Sequence, residues 1–308
     1  MTSFLPGYRI GHASDFDRRT GCTVILPPPG TIAAVDVRGG APGTRETGVF
    51  APGNLVSEIH GLVFAGGSAF GLAAASGVTS WLRGQGVGFP IGPARVPIVA
   101  GAVLFDLAVG DPEAHPDEKM GEVACAAARD GEIETGAIGA GTGATVGKLF
   151  GVAHATPGGV GAASVPLPGG ERVAGLAVVN AFGDVVDPET GEPLAGSRAG
   201  SGLIGSARAL REDALLDSPL AAAHTTLVCV ATDVAFDPGS LKRIAIEAHD
   251  GLARAIRPAH TVVDGDVVFA LAPGGSTPPL LTRLRVGAAA AEATARAIVN
   301  AVTRSGLG

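Results

Sequence analysis

The residues most able to do chemistry lie at one junction, where small residues meet an apolar run. The letters HTT at positions 224–226 follow three alanines and precede LVCVA. A threonine hydroxyl here can attack the preceding carbonyl; an N-to-O acyl shift gives an ester, and water then releases a chain that begins with threonine. Its new α-amine, with a reference pKa of about 7.7–8.0, can serve as base for the adjacent hydroxyl. By residue type alone, an ordinary threonine that begins a strand is the more common case. The chemical alternative is an N-terminal nucleophile at Thr225, or at Thr226 if the cut is displaced by one residue.

The elements that must position this junction follow from residue pattern. Short apolar runs bounded by Gly and Pro predict strands at residues 22–26, 32–37, 61–64, 176–179, 226–231 and 267–271. Residues 173–186 predict a strand, a turn at 180–183 and another strand. Helical patterns cover residues 69–83 with Ser68 as cap, 117–128, a helix with Asp237 as N-cap and Pro238 at its first position, and 281–302. Residues 211–224 predict an exposed loop, and the mixture indicates an α/β or α+β layered fold.

Composition excludes several classes of protein. The chain has 308 residues, 46% hydrophobic and 17% charged, so it can bury a substantial core. Its net charge is −7 and Lys and Arg are scattered, which argues against nucleic-acid binding. Three Cys without CxxC spacing and seven His without an HxxxH pair predict neither a disulfide framework nor a metal site. No stretch has the length and apolarity of a membrane span, so we expect a cytoplasmic protein that needs no cofactor.

A glycine-rich segment at residues 139–148 superficially resembles two nucleotide-binding motifs. GAGTGA lacks the preceding strand and the later acidic residue of a dinucleotide site. The stretch from Gly143 to Lys148 is one residue too short for a phosphate-binding loop, and Leu149 replaces the metal-binding hydroxyl residue. We therefore expect a turn that allows close backbone approach.

Several segments resemble the L-aminopeptidase/D-esterase family, whose members include β-peptidyl aminopeptidases and nylon-oligomer hydrolases. These segments are VDVRGGAPGTRE at 35–46, AGGSAFGL at 65–72, PIV at 97–99, GAGTGATVGK at 139–148, AVVN at 177–180 and TTLVCVATD at 225–233. The similarity runs from about Gly7 to beyond Asp266. It implies a single hydrolase domain with a four-layer α/β/β/α sandwich, cleaved into residues 1–224 and 225–308, whose products stay together and assemble into homo-oligomers of four or more such units.

The resemblance also assigns roles to individual residues. Thr225 corresponds to the nucleophile and His224 to the residue before the cut, where the family usually has Asn. Asn180 matches an asparagine whose amide could stabilise the oxyanion, and Lys148 a lysine that could stabilise negative charge or position a substrate. A turn residue and a surface lysine are the respective alternatives.

Other carried-over positions concern the acidic pair and the substrate. Asp264 and Asp266 match carboxylates that could hold the protonated amine and orient the nucleophile, although Asp-Gly is also a common hairpin signal. Residues 66–68, Gly66, Gly67 and Ser68, could offer backbone N–H groups to a substrate, or simply cap a helix. Phe105 lies where the family often has a catalytic Tyr.

The sequence predicts a self-cleaving amidohydrolase that acts on peptides, amides or esters of small amino acids. Three alternatives remain open at this point. One is an acyltransferase with the same nucleophile, which differs only in the acceptor. The second is an uncleaved, non-catalytic binding protein in which His224 has abolished processing. The third is a nucleotide-binding protein that uses the glycine-rich segment.

Overall fold

Two five-stranded sheets form the centre of the molecule. The computed structural model describes residues 2–200, 202–212 and 224–303. We number the ten strands of the two main sheets in chain order: β1 (Arg9–Asp15), β2 (Thr20–Leu26), β3 (Thr31–Val37), β4 (Thr44–Arg45), β5 (Gly61–Ala65), β6 (Val99–Val103), β7 (Gly159–Pro166), β8 (Arg172–Asn180), β9 (Thr225–Thr232) and β10 (Val267–Pro273). The first sheet has the order β1-β2-β5-β6-β4, and the second has the order β7-β8-β9-β10-β3.

Both sheets follow the same pairing scheme. Each begins with an antiparallel hairpin, continues through a second antiparallel pair to a parallel pair, and ends with an antiparallel edge strand. A parallel pair needs a crossover, and in both sheets a helix supplies it. Helix α1 (Ala74–Gly84) joins β5 to β6, and α4 (Pro238–Ala255) joins β9 to β10.

Helices cover the outer face of each sheet. Helices α1 and α2 (Glu118–Ala127) pack on the first sheet, while α4 and α5 (Leu280–Thr303) pack on the second. A short helix, α3 (Ser206–Arg211), lies between β8 and β9 in the sequence and is not part of the four layers. Three apolar clusters fill the three interlayer spaces: one under each helix pair and one between the sheets. The fold is therefore the predicted four-layer α/β/β/α sandwich.

The alternation of side chains along β9 shows how this layering directs the predicted nucleophile. Leu227 and Cys229 pack into the cluster between the sheets, whereas Val228 and Val230 pack beneath α4 and α5. Because side chains on a strand alternate between faces, Thr225 lies on the face that looks toward the other sheet. Asn180 lies on the same face of β8 by the same periodicity.

Most predicted elements are present, with informative differences. Asp237 caps α4 by accepting from the Ser240 N–H at 3.0 Å, as predicted. The cap predicted at Ser68 is wrong: Gly67 precedes a 3-10 helix, Ser68–Ala73, which runs into α1. The strands predicted within residues 173–186 exist, but they belong to different sheets. Asp184–Val186 pairs with Pro193–Ala195 and Ile256–Arg257, because β9 occupies the open edge of β8.

Two further predictions concern the loop before β9 and the absence of membrane-spanning segments. Of the loop predicted at residues 211–224, positions 213–223 lie outside the described residues. Within the described ranges, no helix has the length and apolarity needed to cross a membrane.

Short strands complete the described structure. Phe89–Ile91 and Ala94–Val96 form a hairpin, as do Arg198–Ala199 and Gly202–Leu203. The remaining pairs are Thr2–Ser3 with Glu132–Ile133 and Thr145–Val146 with Thr156–Pro157.

Candidate active site

The His224–Thr225 junction is buried at the start of β9. His224 is 6% exposed and Thr225 4% exposed. The Thr225 hydroxyl donates to the His224 carbonyl oxygen at 2.5 Å, and the Gly265 N–H donates to the same oxygen at 2.8 Å. The carbonyl that the hydroxyl would attack is thus already polarised by a backbone donor, as catalysis through an oxyanion requires.

Gly265 is the residue that lets β10 approach this junction. A Cβ at position 265 would lie 2.7 Å from the Thr225 Oγ1 and 2.8 Å from the Ala41 carbonyl oxygen. Both distances are shorter than normal van der Waals contacts. The Asp-Gly-Asp sequence is therefore not a hairpin turn here; it is a buried approach segment in which glycine makes room for the nucleophile.

Asn180 stands directly opposite Thr225 in the antiparallel register of β8 and β9. It is fully buried. Its Oδ1 accepts from the Thr145 N–H at 3.0 Å and from the Lys148 Nζ at 2.6 Å, and its Nδ2 donates to the Phe105 carbonyl oxygen at 3.0 Å. Two donors on one atom and an acceptor on the other fix the orientation of the amide.

Lys148 is buried beside Asn180, where it also donates to the Asn180 carbonyl oxygen at 2.9 Å. Burial lowers the pKa of Lys148 to about 7, against the opposing attraction of Asp264 and Asp106. An amine with such a pKa can gain or lose its proton near neutral pH. The surface-lysine alternative is therefore wrong.

Asp266 holds the peptide that follows Thr225. Its Oδ1 accepts from the Thr226 N–H at 2.8 Å. Its Oδ2 accepts from the His260 backbone N–H at 3.0 Å and lies 2.8 Å from the His260 Nδ1. The carboxylate is 1% exposed. Asp266 thus fixes the start of β9 immediately after Thr225.

Asp264 occupies the other side of Gly265. Its Oδ2 accepts from the Thr261 hydroxyl at 2.5 Å and the Thr261 N–H at 3.0 Å, and its Oδ1 accepts from the Phe182 N–H at 3.3 Å. Burial and the charge of Asp266 raise the pKa of Asp264 to about 6. The Asp264 carboxyl group therefore takes up a proton closer to neutral pH than an exposed aspartate does.

Two residues at the site escaped prediction from sequence. The Phe182 ring lies 5.1 Å from the His224 ring between centroids, and the Phe182 carbonyl accepts from the Lys148 N–H at 3.0 Å. His260 contacts Asp266 as described above. Phe182 gave no signal because an isolated aromatic residue is usually core. His260 gave none because a lone histidine six residues before an aspartate has no recognised spacing.

Residues 66–68 bond to residues 104–106, and that segment in turn bonds to Asn180. The Gly66 N–H donates to Gly21, that of Gly67 to the Asp106 Oδ1 at 2.7 Å, and that of Ser68 to Leu104. All three N–H groups therefore have partners within the protein, and a substrate would have to displace them. The connection to the site runs through residues 104–106, since the Phe105 carbonyl holds Asn180.

Asp106 is a second buried carboxyl near Lys148. Its Oδ2 accepts from the Thr20 hydroxyl at 2.8 Å, and burial raises its pKa. The charges of Asp106 and Asp264 act against the effect of burial on Lys148, because they stabilise its ammonium form.

The glycine-rich segment is packing, as expected. Residues 139–149 are all buried. A Cβ on Gly143 would lie 2.1 Å from the Arg19 carbonyl oxygen, and one on Gly141 would lie 2.6 Å from the Val160 nitrogen. These glycines bring backbones together and lead the chain to Lys148. The described residues contain no group of His, Cys, Asp and Glu that could hold a metal ion.

Comparisons with known proteins agree with the resemblance noted in the sequence. The model of peptidase family S58 matches residues 5–306. An uncharacterized aminopeptidase of Mycobacterium tuberculosis (strain H37Rv) is 46% identical, over 96% of this chain and 91% of that protein. A 6-aminohexanoate-oligomer endohydrolase of Kocuria sp. (strain KY2) is 32% identical, over 86% of this chain and 73% of that protein.

Solved structures share the fold. The L-aminopeptidase D-Ala-esterase/amidase of Ochrobactrum anthropi, described as a variant of the Ntn hydrolase fold, superposes with a TM-score of 0.74 at 18% identity, covering 96% of this chain and 84% of that one. A β-aminopeptidase of Burkholderia sp. gives a TM-score of 0.71 at 24% identity with the same coverage. The α/β/β/α sandwich is thus of the Ntn hydrolase type, and the chain belongs to peptidase family S58, a family of hydrolases.

Proposed function

We propose that this protein cleaves itself between His224 and Thr225 and then uses Thr225 as an N-terminal nucleophile. The products are residues 1–224 and residues 225–308. The mature enzyme hydrolyses peptides, amides or esters of small amino acids through an acyl-enzyme on the Thr225 hydroxyl. The observation that carries the proposal is the His224 carbonyl oxygen, held by the Gly265 N–H at 2.8 Å beside the Thr225 hydroxyl.

Self-cleavage proceeds in three steps. The Thr225 Oγ1 bonds to the His224 carbonyl carbon, while the Gly265 N–H stabilises the negative charge on oxygen. The carbon–nitrogen bond then breaks, and the proton lost from Oγ1 passes to the Thr225 nitrogen, which leaves an ester. Water adds to this ester, so that His224 ends in a carboxylate and Thr225 regains its hydroxyl beside a free amine.

The amine that cleavage creates is the base of the mature enzyme. It lies on the same residue as the hydroxyl, so no histidine partner is needed. We assign Asn180, which stands opposite Thr225 in the register of β8 and β9, as the donor to the oxyanion of a substrate. Lys148 supports this role because its Nζ donates to the Asn180 Oδ1 at 2.6 Å, so that the amide nitrogen points away from Lys148.

The acidic pair divides two tasks. Asp266 orients the nucleophile by accepting from the Thr226 N–H at 2.8 Å. Asp264, whose pKa burial and Asp266 raise to about 6, can balance the charge of the new amine as that amine gains and loses its proton. The Thr225 amine and the buried carboxyl groups can thus balance each other's charge inside the protein.

The activities named for the relatives support amide hydrolysis. One is an aminopeptidase and another acts on 6-aminohexanoate oligomers. An acyltransferase would share every step up to the acyl-enzyme, so the acceptor decides between the two activities. A steady-state assay of amino-acid amides with and without added amine separates them: hydrolase activity predicts free acid as the main product in both.

We propose that the cleaved units assemble into a homo-oligomer of four or more in the cytoplasm. Leu280, Leu281 and Leu284 are exposed on the first turns of α5, and such side chains are often covered by a second copy. The three cysteines are buried thiols, which suits a reducing compartment. Light scattering of the purified protein gives the oligomer mass.

The test of self-cleavage is a denaturing gel of freshly purified protein and two variants. Wild type is expected as fragments of roughly 22 and 8 kDa, since the mechanism needs a free threonine amine. Thr225→Ala removes the attacking hydroxyl and should leave one intact, inactive chain. Thr226→Ala is the matched control and should still be cut. Two fragments from Thr225→Ala, or an uncut Thr226→Ala, would move the nucleophile to another residue.

A further inference from the structure

The imidazole of His260 grips the carboxylate that orients the nucleophile. Asp266 receives three N–H donors: the Thr226 N–H on Oδ1, and both the backbone N–H and the ring of His260 on Oδ2. A carboxylate only accepts hydrogen bonds, so the His260 Nδ1 must carry the hydrogen at 2.8 Å. One residue therefore holds one oxygen at two points and leaves the other for the peptide after Thr225.

We propose that His260 is a positioning residue for both self-cleavage and turnover, acting through Asp266 on the start of β9. The inference rests on the proposed role of Thr225. With Oδ2 held twice, the carboxylate cannot rotate away from the Thr226 N–H, and the Thr225 hydroxyl stays aligned with the carbonyl it attacks. Misplacement of a reacting group by about 1 Å can lower a rate 100-fold.

A second histidine braces the first. The rings of His249 and His260 pack edge to face, with centroids 4.7 Å apart and planes at 74°. The His249 Nε2 donates to the Asp36 carbonyl oxygen at 3.1 Å, which anchors the pair to β3. The side chain of His249 is fully buried, and burial lowers its pKa to about 4, so the brace is a neutral ring at neutral pH.

Besides Asp266, the charged groups beside this pair are Asp36 on β3, Arg38 directly after β3 and Lys242 on α4. Asp36 forms an ion pair with Lys242 at 2.6 Å and with Arg38 at 2.8 Å. Among the described residues, the buried Nε2 of His260 and the buried Nδ1 of His249 have no hydrogen-bond partner. The nitrogen of His260 that matters is therefore the one at the δ position.

The backbone of His260 supports the same conclusion. Its φ is +56°, in the left-handed region that few residues other than Gly, Asn and Asp adopt. The surrounding contacts hold this conformation despite its cost. An asparagine at position 260 would tolerate the conformation and place an amide N–H near the position of Nδ1, whereas a glutamine would place it farther out.

This reasoning gives a set of matched variants. His260→Asn keeps a donor near the δ position, His260→Gln moves it, and His260→Leu removes it. His12→Leu is the control for loss of a buried imidazole: its Nδ1 bonds the Thr23 hydroxyl at 3.0 Å on the first sheet, away from Asp266. Self-cleavage rate, kcat, KM and melting temperature are measured for each variant.

We expect His260→Leu and His260→Gln to slow self-cleavage and lower kcat by at least about 30-fold, with KM within about threefold, because alignment of the nucleophile is lost but substrate contacts are not. His260→Asn should stay within about fivefold of wild type, and His12→Leu should match wild type in both rates. The double variant His260→Leu/Asp266→Asn should be no slower than Asp266→Asn alone, since both act through one carboxylate.

The inference is overturned by any of three results. The first is a folded His260→Leu or His260→Gln with near-normal kcat and cleavage. The second is an Asn variant as slow as the Gln variant at equal melting temperature, and the third is strictly additive losses in the double variant. If wild type itself remains uncut and active, the proposed nucleophile is wrong, and that failure is seen before any His260 variant is compared.

Discussion

The protein uses one strand–helix–strand unit twice, and only the second copy carries reactive groups. In the first unit, β5–α1–β6, the His60 N–H donates to the Ile98 carbonyl at 2.8 Å just before the two parallel strands begin. In the second, β9–α4–β10, a hydrogen bond also joins the two segments, but in the opposite direction: the Gly265 N–H donates to the His224 carbonyl at 2.8 Å. A backbone hydrogen bond between the starts of the two strands is therefore not by itself a reactive feature.

The two units differ in the side chains at the start of their parallel strands. The first unit has Gly61 after its histidine and PIV at residues 97–99, without a hydroxyl or a carboxylate. The second has Thr225 after its histidine and Asp264 and Asp266 on the partner strand. Burial at the second start brings the pKa of Asp264 to about 6 and that of Lys148 to about 7. The proposed function thus depends on the hydroxyl and carboxyl groups that stand at the start of β9 and β10 and that the start of β5 and β6 lacks.

The largest effect in this comparison should come from Gly265→Ala. The new Cβ would lie 2.7 Å from the Thr225 Oγ1, so the hydroxyl and β10 must move apart. We expect self-cleavage to slow by at least about 100-fold, measured as the uncut fraction on a gel over time. Gly48→Ala is the control, because nothing lies within 4 Å of its Cβ. A cleavage rate equal to wild type in Gly265→Ala would show that close approach is not needed.

A smaller effect is expected from Asp266→Asn, about 30-fold on kcat, because the amide holds the Thr226 N–H without its charge. The matched control is Asp184→Asn. Asp184 is equally buried and accepts from Ser197 and Ser206, but it lies on the small three-stranded sheet. The control should lower the melting temperature without a selective loss of kcat. Equal kcat losses in both variants would reduce Asp266 to a structural residue.

The pH profile of kcat should show the smallest effect, about tenfold per pH unit outside its optimum. Asp264, with a raised pKa of about 6, becomes neutral as pH falls below that value. Lys148, with a lowered pKa of about 7, loses its positive charge as pH rises above that value. Activity should therefore fall on both sides. Lys148→Met should lower the rate at pH 6 and flatten the alkaline limb; an unchanged alkaline limb would show that Lys148 is not the group that titrates there.

Local chemistry predicted most of the fold. Asp237 followed by Pro238 marked the start of α4 because capping depends on neighbouring residues alone. The turn at 180–183 was correct, but the sheet membership of its strands was not predictable. That depends on β9, which lies some distance away in sequence and pairs with β8 in register at Asn180.

The side chains of the site were predictable mainly through the family resemblance. That resemblance assigned Asn180, Lys148 and both aspartates, whereas residue type and position pointed only to Thr225; the structure brings Asn180 opposite Thr225, Lys148 beside Asn180, and both aspartates to the segment around Gly265. The Gly265 N–H, the Phe105 carbonyl and the Thr145 N–H were missed because any residue offers a backbone group. Their positions depend on tertiary approach, such as the absence of a Cβ at position 265.

The most direct measurement is N-terminal sequencing and intact mass of the chains in freshly purified, active protein. Cleavage at the start of β9 predicts two chains, the smaller beginning Thr225-Thr226-Leu227. A single unbroken chain with full hydrolase activity would contradict it, because the amine that should act as the base would never have formed.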